Sequence, residues 1–143
     1  MGKSVDIPSI IITNIRSIFN KIDELSMFIK QFPADIIIVT ETWLNNSISS
    51  GCINIENYSV FRKDRDDVGG GVAIWSRYAA LNLNSHTTPG LKSDFLIIRI
   101  PSIKVLLIAV YHAYWGTSKW HDIFIADVQR AIDTHLMPGV FYW

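Results

Sequence analysis

The run Asp35-Ile36-Ile37-Ile38-Val39-Thr40-Glu41-Thr42-Trp43 decides the fold. Side chains alternate between the two faces of a strand, so an unbroken stretch of β-branched apolar residues suits a strand covered on both sides. Upstream, Ser9-Ile10-Ile11-Ile12-Thr13-Asn14 is a second β-branched run, and Ile18, Ile22, Leu25, Phe28, Ile29 and Phe32 recur between the two at helical spacing. Pro33 forbids the helix from continuing. Residues 9–40 therefore read as a β-α-β unit, whose crossover is right-handed in nearly all cases and whose strands lie parallel with their C-terminal ends at one edge. Asn14 and Glu41 stand at those ends, where open α/β sheets bind their ligands.

Downstream the texture changes. Residues 45–57, rich in Asn, Ser, Ile and Gly, read as a loop with one short turn. Tyr58-Ser59-Val60-Phe61-Arg62 and Val72-Ala73-Ile74-Trp75-Ser76 flank Asp66-Asp67-Val68-Gly69-Gly70-Gly71 as a hairpin. A second hairpin is expected from residues 95–100 and 104–111 around Pro101-Ser102-Ile103, with residues 79–92 as a polar connection. Beyond Trp115-Gly116-Thr117, the residues Trp120, Ile123, Phe124, Val128, Ala131, Ile132 and Leu136 mark a helix capped by Thr117 or Ser118 and ended by Pro138-Gly139. Val140-Phe141-Tyr142-Trp143 reads as a strand cut off as it starts, which suggests a piece of a larger domain.

With 143 residues, 49% hydrophobic and 18% charged, the chain is long enough for one globular domain with its own core, and disorder, collagen and coiled coil are excluded. The single cysteine, Cys52, cannot form an internal disulfide or a CxxC site, which fits a reducing, intracellular compartment. No apolar run approaches the ~20 residues that span a bilayer, and the N-terminus lacks a signal-peptide apolar region, so no membrane association or targeting segment is expected. Thirteen Lys and Arg balance thirteen Asp and Glu. A protein that holds nucleic acid by charge alone is excluded, while an enzyme with a local nucleic-acid site is not.

Each chemistry-bearing residue has two readings. Glu41, just after a buried strand, can hold Mg²⁺, which takes one or two carboxylates and completes its shell with water and phosphate, or it can cap a loop. Asn14 can orient a carboxylate or donate to a phosphate oxygen, or serve as an ordinary turn residue. Arg62 and Arg65, in Phe61-Arg62-Lys63-Asp64-Arg65-Asp66-Asp67, can reach a polyanion from one face or line a solvated edge strand. The glycines that follow precede a strand rather than a helix, so a hairpin turn outweighs a phosphate loop. Tyr111 can donate to a phosphate oxygen or rest at a buried edge, and His112 beside it shares the expected crevice. No Ser-His-Asp or zinc spacing emerges from His86, His112, His121 and His135.

In order, Asn14-Ile15-Arg16-Ser17-Ile18, residues 35–44 ending in Thr40-Glu41-Thr42-Trp43-Leu44, Tyr58-Ser59-Val60-Phe61-Arg62-Lys63-Asp64-Arg65, Gly69-Gly70-Gly71-Val72-Ala73-Ile74 and Leu107-Ile108-Ala109-Val110-Tyr111 resemble the endonuclease/exonuclease/phosphatase family. Within that family they resemble specifically the apurinic-endonuclease-like domain of non-LTR retrotransposons. The resemblance implies the N-terminal half of a four-layer α/β sandwich, here a β-α-β start, hairpins and a helix, with residues 1–143 a partial domain. It implies a Mg²⁺-dependent nuclease that nicks DNA, with Glu41 as metal ligand, Asn14 and Tyr111 in the catalytic apparatus, and Arg62, Arg65 and His112 toward the substrate. It further implies a reverse transcriptase domain downstream and a nuclear location.

The sequence departs from the family where His112-Ala113-Tyr114-Trp115 replaces the usual Arg-Pro-Pro after Tyr111. The family's Gly-Asp-Xaa-Asn and Ser-Asp-His segments are absent from it. Without them the polypeptide is expected to be inactive or nearly so. The half present is expected to supply one sheet, whose uncovered face would self-associate or bind a partner. Two alternatives accompany this reading: a non-catalytic remnant or interaction module, and a family phosphatase acting on inositol lipids or a sphingomyelinase.

Overall fold

A computed structural model describes residues 7–65, 69–88, 93–112, 118–135 and 141–142. Strand β1 (Ile10–Asn14) leads through a 3-10 turn (Phe19–Lys21) into helix α1 (Ile22–Gln31) and strand β2 (Ile36–Thr40), which pairs parallel with β1 from Ile10↔Ile36 to Asn14↔Thr40. The β-α-β unit thus forms where the apolar pattern places it. The helix begins later than its spacing suggested, because Ile18 turns fully into the core and Lys21 Nζ folds back onto the carbonyls of Ile15 and Arg16 at 2.7 and 2.9 Å.

Strands β3 (Ser59–Lys63) and β4 (Val72–Ser76) form the expected hairpin, and β4 also pairs antiparallel with β2, giving a first sheet of order β1-β2-β4-β3. The loop between β2 and β3 carries one 3-10 turn, Ser50–Ile53. Three further strands, β5 (Leu81–Thr88), β6 (Ser93–Ile100) and β7 (Val105–His112), build a second sheet, completed by the short β8 (Phe141–Tyr142) parallel to β7. The β6–β7 hairpin turns through Pro101–Ile103 and a left-handed Lys104, as expected. Helix α2 (Ser118–His135) lies where its spacing put it, while its expected cap Thr117 and its end at Pro138-Gly139 fall outside the described residues.

Two expectations are corrected. Residues 81–88 are not a connection but an edge strand, antiparallel to β6 with an irregularity between Asn82 and Asn84. Its exposed Asn and Ser side chains hide the strand from a hydropathy reading, and pairing with an apolar neighbour overrides their weak strand preference. The chain also supplies two sheets, not one, and their inner faces cover each other. Ile36, Ile38, Val72 and Ile74 of the first sheet pack on Leu96, Ile98, Ile100, Val105, Leu107 and Ala109 of the second.

The alternate residues Ile37, Val39, Ala73 and Trp75 face the other way, onto Leu25 and Ile29 of α1 and Leu44, Ile53 and Ile55 of the long loop. Both faces of β2 are therefore dry, which is why its sequence shows no alternation. On the far side, Ala131 of α2 meets Ile97 and Leu106. Helix, sheet, sheet and helix make four layers, and the α/β sandwich expected from the resemblance is present. Among the described residues no helix is long and apolar enough to cross a membrane.

Candidate active site

The loops leaving β1 and β2 stay knitted past the strand ends. Ile15 N–H donates to Thr40 O at 3.1 Å, Ser17 N–H to Glu41 O at 2.9 Å and Ile18 N–H to Thr42 O at 3.0 Å. Within them Arg16, Ser17, Glu41 and Trp43 all take positive φ, at 46°, 77°, 56° and 57°. Each such residue costs of order 1–3 kcal/mol and persists only where its surroundings enforce it. Here the enforcement includes the Trp43 N–H, which donates to Gly70 O at 3.0 Å.

This backbone lifts the half-buried Glu41 carboxylate toward β7, where the Tyr111 hydroxyl donates to its Oε1. Burial, the hydrogen bond to Glu41 and the carboxylate's charge push the Tyr111 phenol up to about 12, against a lowering pull from Arg65. Asn14, exposed, is the register partner of Thr40 and so stands at the neighbouring strand end. Glu41 and Tyr111 thus meet directly, from opposite sheets, with Asn14 on the same rim.

Behind Tyr111 lies a buried ion pair. Arg65 Nη2 reaches Asp94 Oδ2 at 2.8 Å, and the guanidinium sits 5.7 Å from the Tyr111 ring centroid. Asp94 is fully buried; its carboxylate also accepts from Gly71 N–H at 2.9 Å and Thr87 Oγ1 at 2.8 Å. A Cβ on Gly70 would fall 2.3 Å from Arg65 Cζ, and one on Gly71 2.3 Å from Thr42 Oγ1, both at positive φ. The glycines therefore make room for the pair and for buried Thr42. Sequence reasoning missed Asp94; its signal was a lone carboxylate in the otherwise apolar Phe95-Leu96-Ile97-Ile98 strand, where a buried charge demands a partner.

Arg65 is thus buried beside the crevice rather than on a solvated edge. Arg62 is engaged elsewhere: it pairs with Asp64 at 2.6 Å and holds the carbonyls of Ile48 and Asn45 at 2.7 and 3.0 Å, pinning the long loop. His112 continues β7 past Tyr111. Its Nδ1 lies 2.6 Å from Ser93 Oγ and its ring stacks on Phe124 of α2 at 4.1 Å. Burial, and then the charge of His121, hold its pKa below the ordinary histidine value. His86 takes no part in this crevice; it lies against Asp127 of α2 at 3.4 Å.

Among the described residues no three His, Cys, Asp or Glu side chains gather as a metal cage. With Asp94 already holding three donors, Glu41 is, among the described residues, the carboxylate that meets Tyr111 in the crevice. A hard, strongly hydrated cation such as Mg²⁺ needs no cage, since it binds through one or two carboxylates and retains water and phosphate oxygens. Glu41 fits it as one ligand.

A family model described as the Endonuclease/Exonuclease/phosphatase family matches residues 13–139. No curated protein sequence matches the chain. Among solved structures, an AP endonuclease from Archaeoglobus fulgidus is similar at 17% identity and a TM-score of 0.69, over 95% of this chain and 55% of that one. The 3′ phosphatase NExo from Neisseria, bound to a product DNA hairpin, is similar at 17% identity and a TM-score of 0.67, over 90% and 52%. TDP2 from D. rerio, complexed with a single-strand DNA product, is similar at 16% identity and a TM-score of 0.61, over 92% and 57%. The chain spans about half the length of these structures, and at such identities the likeness is one of fold.

Proposed function

Because the chain belongs to the endonuclease/exonuclease/phosphatase family, we propose that its crevice is the Glu41 side of a Mg²⁺-dependent phosphodiesterase site that nicks DNA. The observation that carries this reading is the Tyr111 hydroxyl seated on the Glu41 carboxylate at the C-terminal strand ends, with Asn14 alongside. When bound, Mg²⁺ would be held by Glu41 and would neutralise charge on the phosphate and the leaving oxygen. The Tyr111 hydroxyl, protonated at neutral pH as any phenol is, can turn from Glu41 to donate to a non-bridging phosphate oxygen. Asn14 donates to the same phosphate. Arg65, fixed by Asp94, adds positive potential behind the Tyr111 ring in a region of low dielectric. His112 follows Tyr111 along β7 but faces α2, stacked on Phe124, and so acts on the crevice only through the position of the strand end.

The full activity belongs to a protein of the retrotransposon type, with a reverse transcriptase domain downstream and DNA met in the nucleus. Among the described residues no three His, Cys, Asp or Glu side chains gather around Glu41. Residues that act as a unit lose most of their effect when part is missing, so the polypeptide of residues 1–143 nicks DNA feebly or not at all. The test is a supercoiled-plasmid nicking assay with Mg²⁺ on this polypeptide and on a longer one continuing the reading frame. Nicking by the longer protein that Glu41→Ala abolishes supports the reading; nicking that survives Glu41→Ala overturns it.

One observation favours a second reading, a non-catalytic interaction module. A cleft of about 540 Å³ opens between β1 and β7, lined by Pro8, Ile10, Ile12, Ile38, Thr40 and residues 107–110. Its lining is almost wholly apolar, which suits a protein partner or a second copy. A longer protein that is inert toward DNA yet associates through this cleft would favour that reading.

A further inference from the structure

Trp43 is 41% exposed although its neighbours Thr42 and Leu44 are 1% and 3% exposed. It is also a bulky residue at φ 57°, a conformation that L side chains rarely adopt. The strain is held in place by the hydrogen bond from its N–H to Gly70 O, and a Cβ on Gly69 would lie 3.9 Å from its indole Nε1. The loop therefore spends backbone free energy to keep a large aromatic in water, beside the glycine turn. Strain of this kind gathers at functional sites.

Its position supplies the chemistry. Thr42 turns inward, so Glu41 and Trp43 emerge from the same short loop on either side of it. On the adjoining loop Arg16, exposed and likewise at positive φ, is tied to this one by the bond from Ser17 N–H to Glu41 O. A carboxylate, an exposed indole and an exposed guanidinium thus share one rim. The geometry points to a nucleobase-stacking subsite on Trp43, flanked by Arg16 as a phosphate contact, that grips a single-stranded or frayed DNA strand next to Glu41. This rests on the DNA reading above and adds the group that holds the strand. With a formal charge of zero, stacking supplies affinity that a basic excess would supply in other nucleic-acid binders. Base–aromatic stacking tolerates any sequence, because every base offers a π-face.

The test uses the full chain without added metal and a fluorescein-labelled single-stranded oligothymidylate, read by anisotropy. Trp43→Ala should weaken binding about 5- to 150-fold, the range expected for one stacked base. Trp43→Phe should recover most of it, and Trp43→Leu, which keeps apolar bulk without a π-face, should not. Arg16→Ala should reduce the salt dependence of log Kd by about one contact. Equal binding by wild type, Trp43→Leu and Trp43→Ala overturns the subsite, and leaves the Glu41 site standing if Glu41→Ala still abolishes nicking by the longer protein. Failure of the wild type to bind the oligonucleotide overturns the subsite and counts against the DNA reading as well.

Discussion

Asp94, the cross-strand partner of Tyr111, shows how one side chain can organise a site from behind. It receives three donors drawn from three separate stretches of chain, Arg65, Gly71 and Thr87, and so fixes the guanidinium against the Tyr111 ring. Removing one partner of a buried pair leaves an uncompensated charge, so Asp94→Ala should destabilise the fold by about 3–5 kcal/mol in urea denaturation. Gly71→Ala should be nearly as damaging, about 2–4 kcal/mol, because it joins strain at φ 91° to a clash with Thr42. His112 gives a pH signature. Its folded pKa is lowered, so its contribution is fully present above the unfolded value of about 6.5 and is lost as pH falls through the folded value. Melting temperature should therefore drop below pH 6.5, with a shallower slope in His112→Asn.

Glu41 and Tyr111 were legible in the sequence because each ends an apolar strand, and strand ends are where an α/β sheet exposes its side chains. Asp94 was not, because its value depends on a partner 29 residues away that only sheet pairing reveals. Arg62 and Arg65 looked equivalent in an alternating run, yet one clamps a loop and the other lies under Tyr111.

At the level of the element, β2 and β5 mark the two limits of pattern reading. In β2 both faces are buried and the residues announce it. In β5 the sheet edge leaves Asn82, Asn84 and Ser85 in water, while Leu83, His86, Thr87 and Thr88 turn toward other groups. What β5 does for the molecule lies at its end: Thr88 and His86 both meet Asp127, a buried carboxylate of α2 that Arg130 also approaches at 3.2 Å. This cluster, with Ala131 on Ile97 and Leu106, docks α2 to the second sheet. Asp127→Ala should raise amide exchange along α2 by at least tenfold while leaving α1 unchanged, as measured by hydrogen-exchange mass spectrometry.

For the molecule as a whole, the expectation of a bare sheet face gives way to a closed sandwich with an open side. The inner faces bury each other, and among the described residues an apolar cleft stays open between β1 and β7, with Ile12 on its wall 70% exposed. Strand β1 is an edge and carries no charged residue to discourage pairing. The polypeptide should therefore self-associate as concentration rises, and Ile12→Lys should return it to 16.2 kDa by light scattering. The four-layer arrangement was within reach of the sequence through its resemblance, but the split of strands between sheets was not, since hairpin signals do not say which sheet a hairpin joins.

The direction of β8 has a consequence of its own. It runs parallel to β7 from Val105↔Phe141 to Leu106↔Tyr142, at the end of β7 remote from Tyr111. Any peptide spliced onto β8 and kept in register would be guided along β7 as along a rail, and would deliver its later side chains to the rim where Glu41 waits for company.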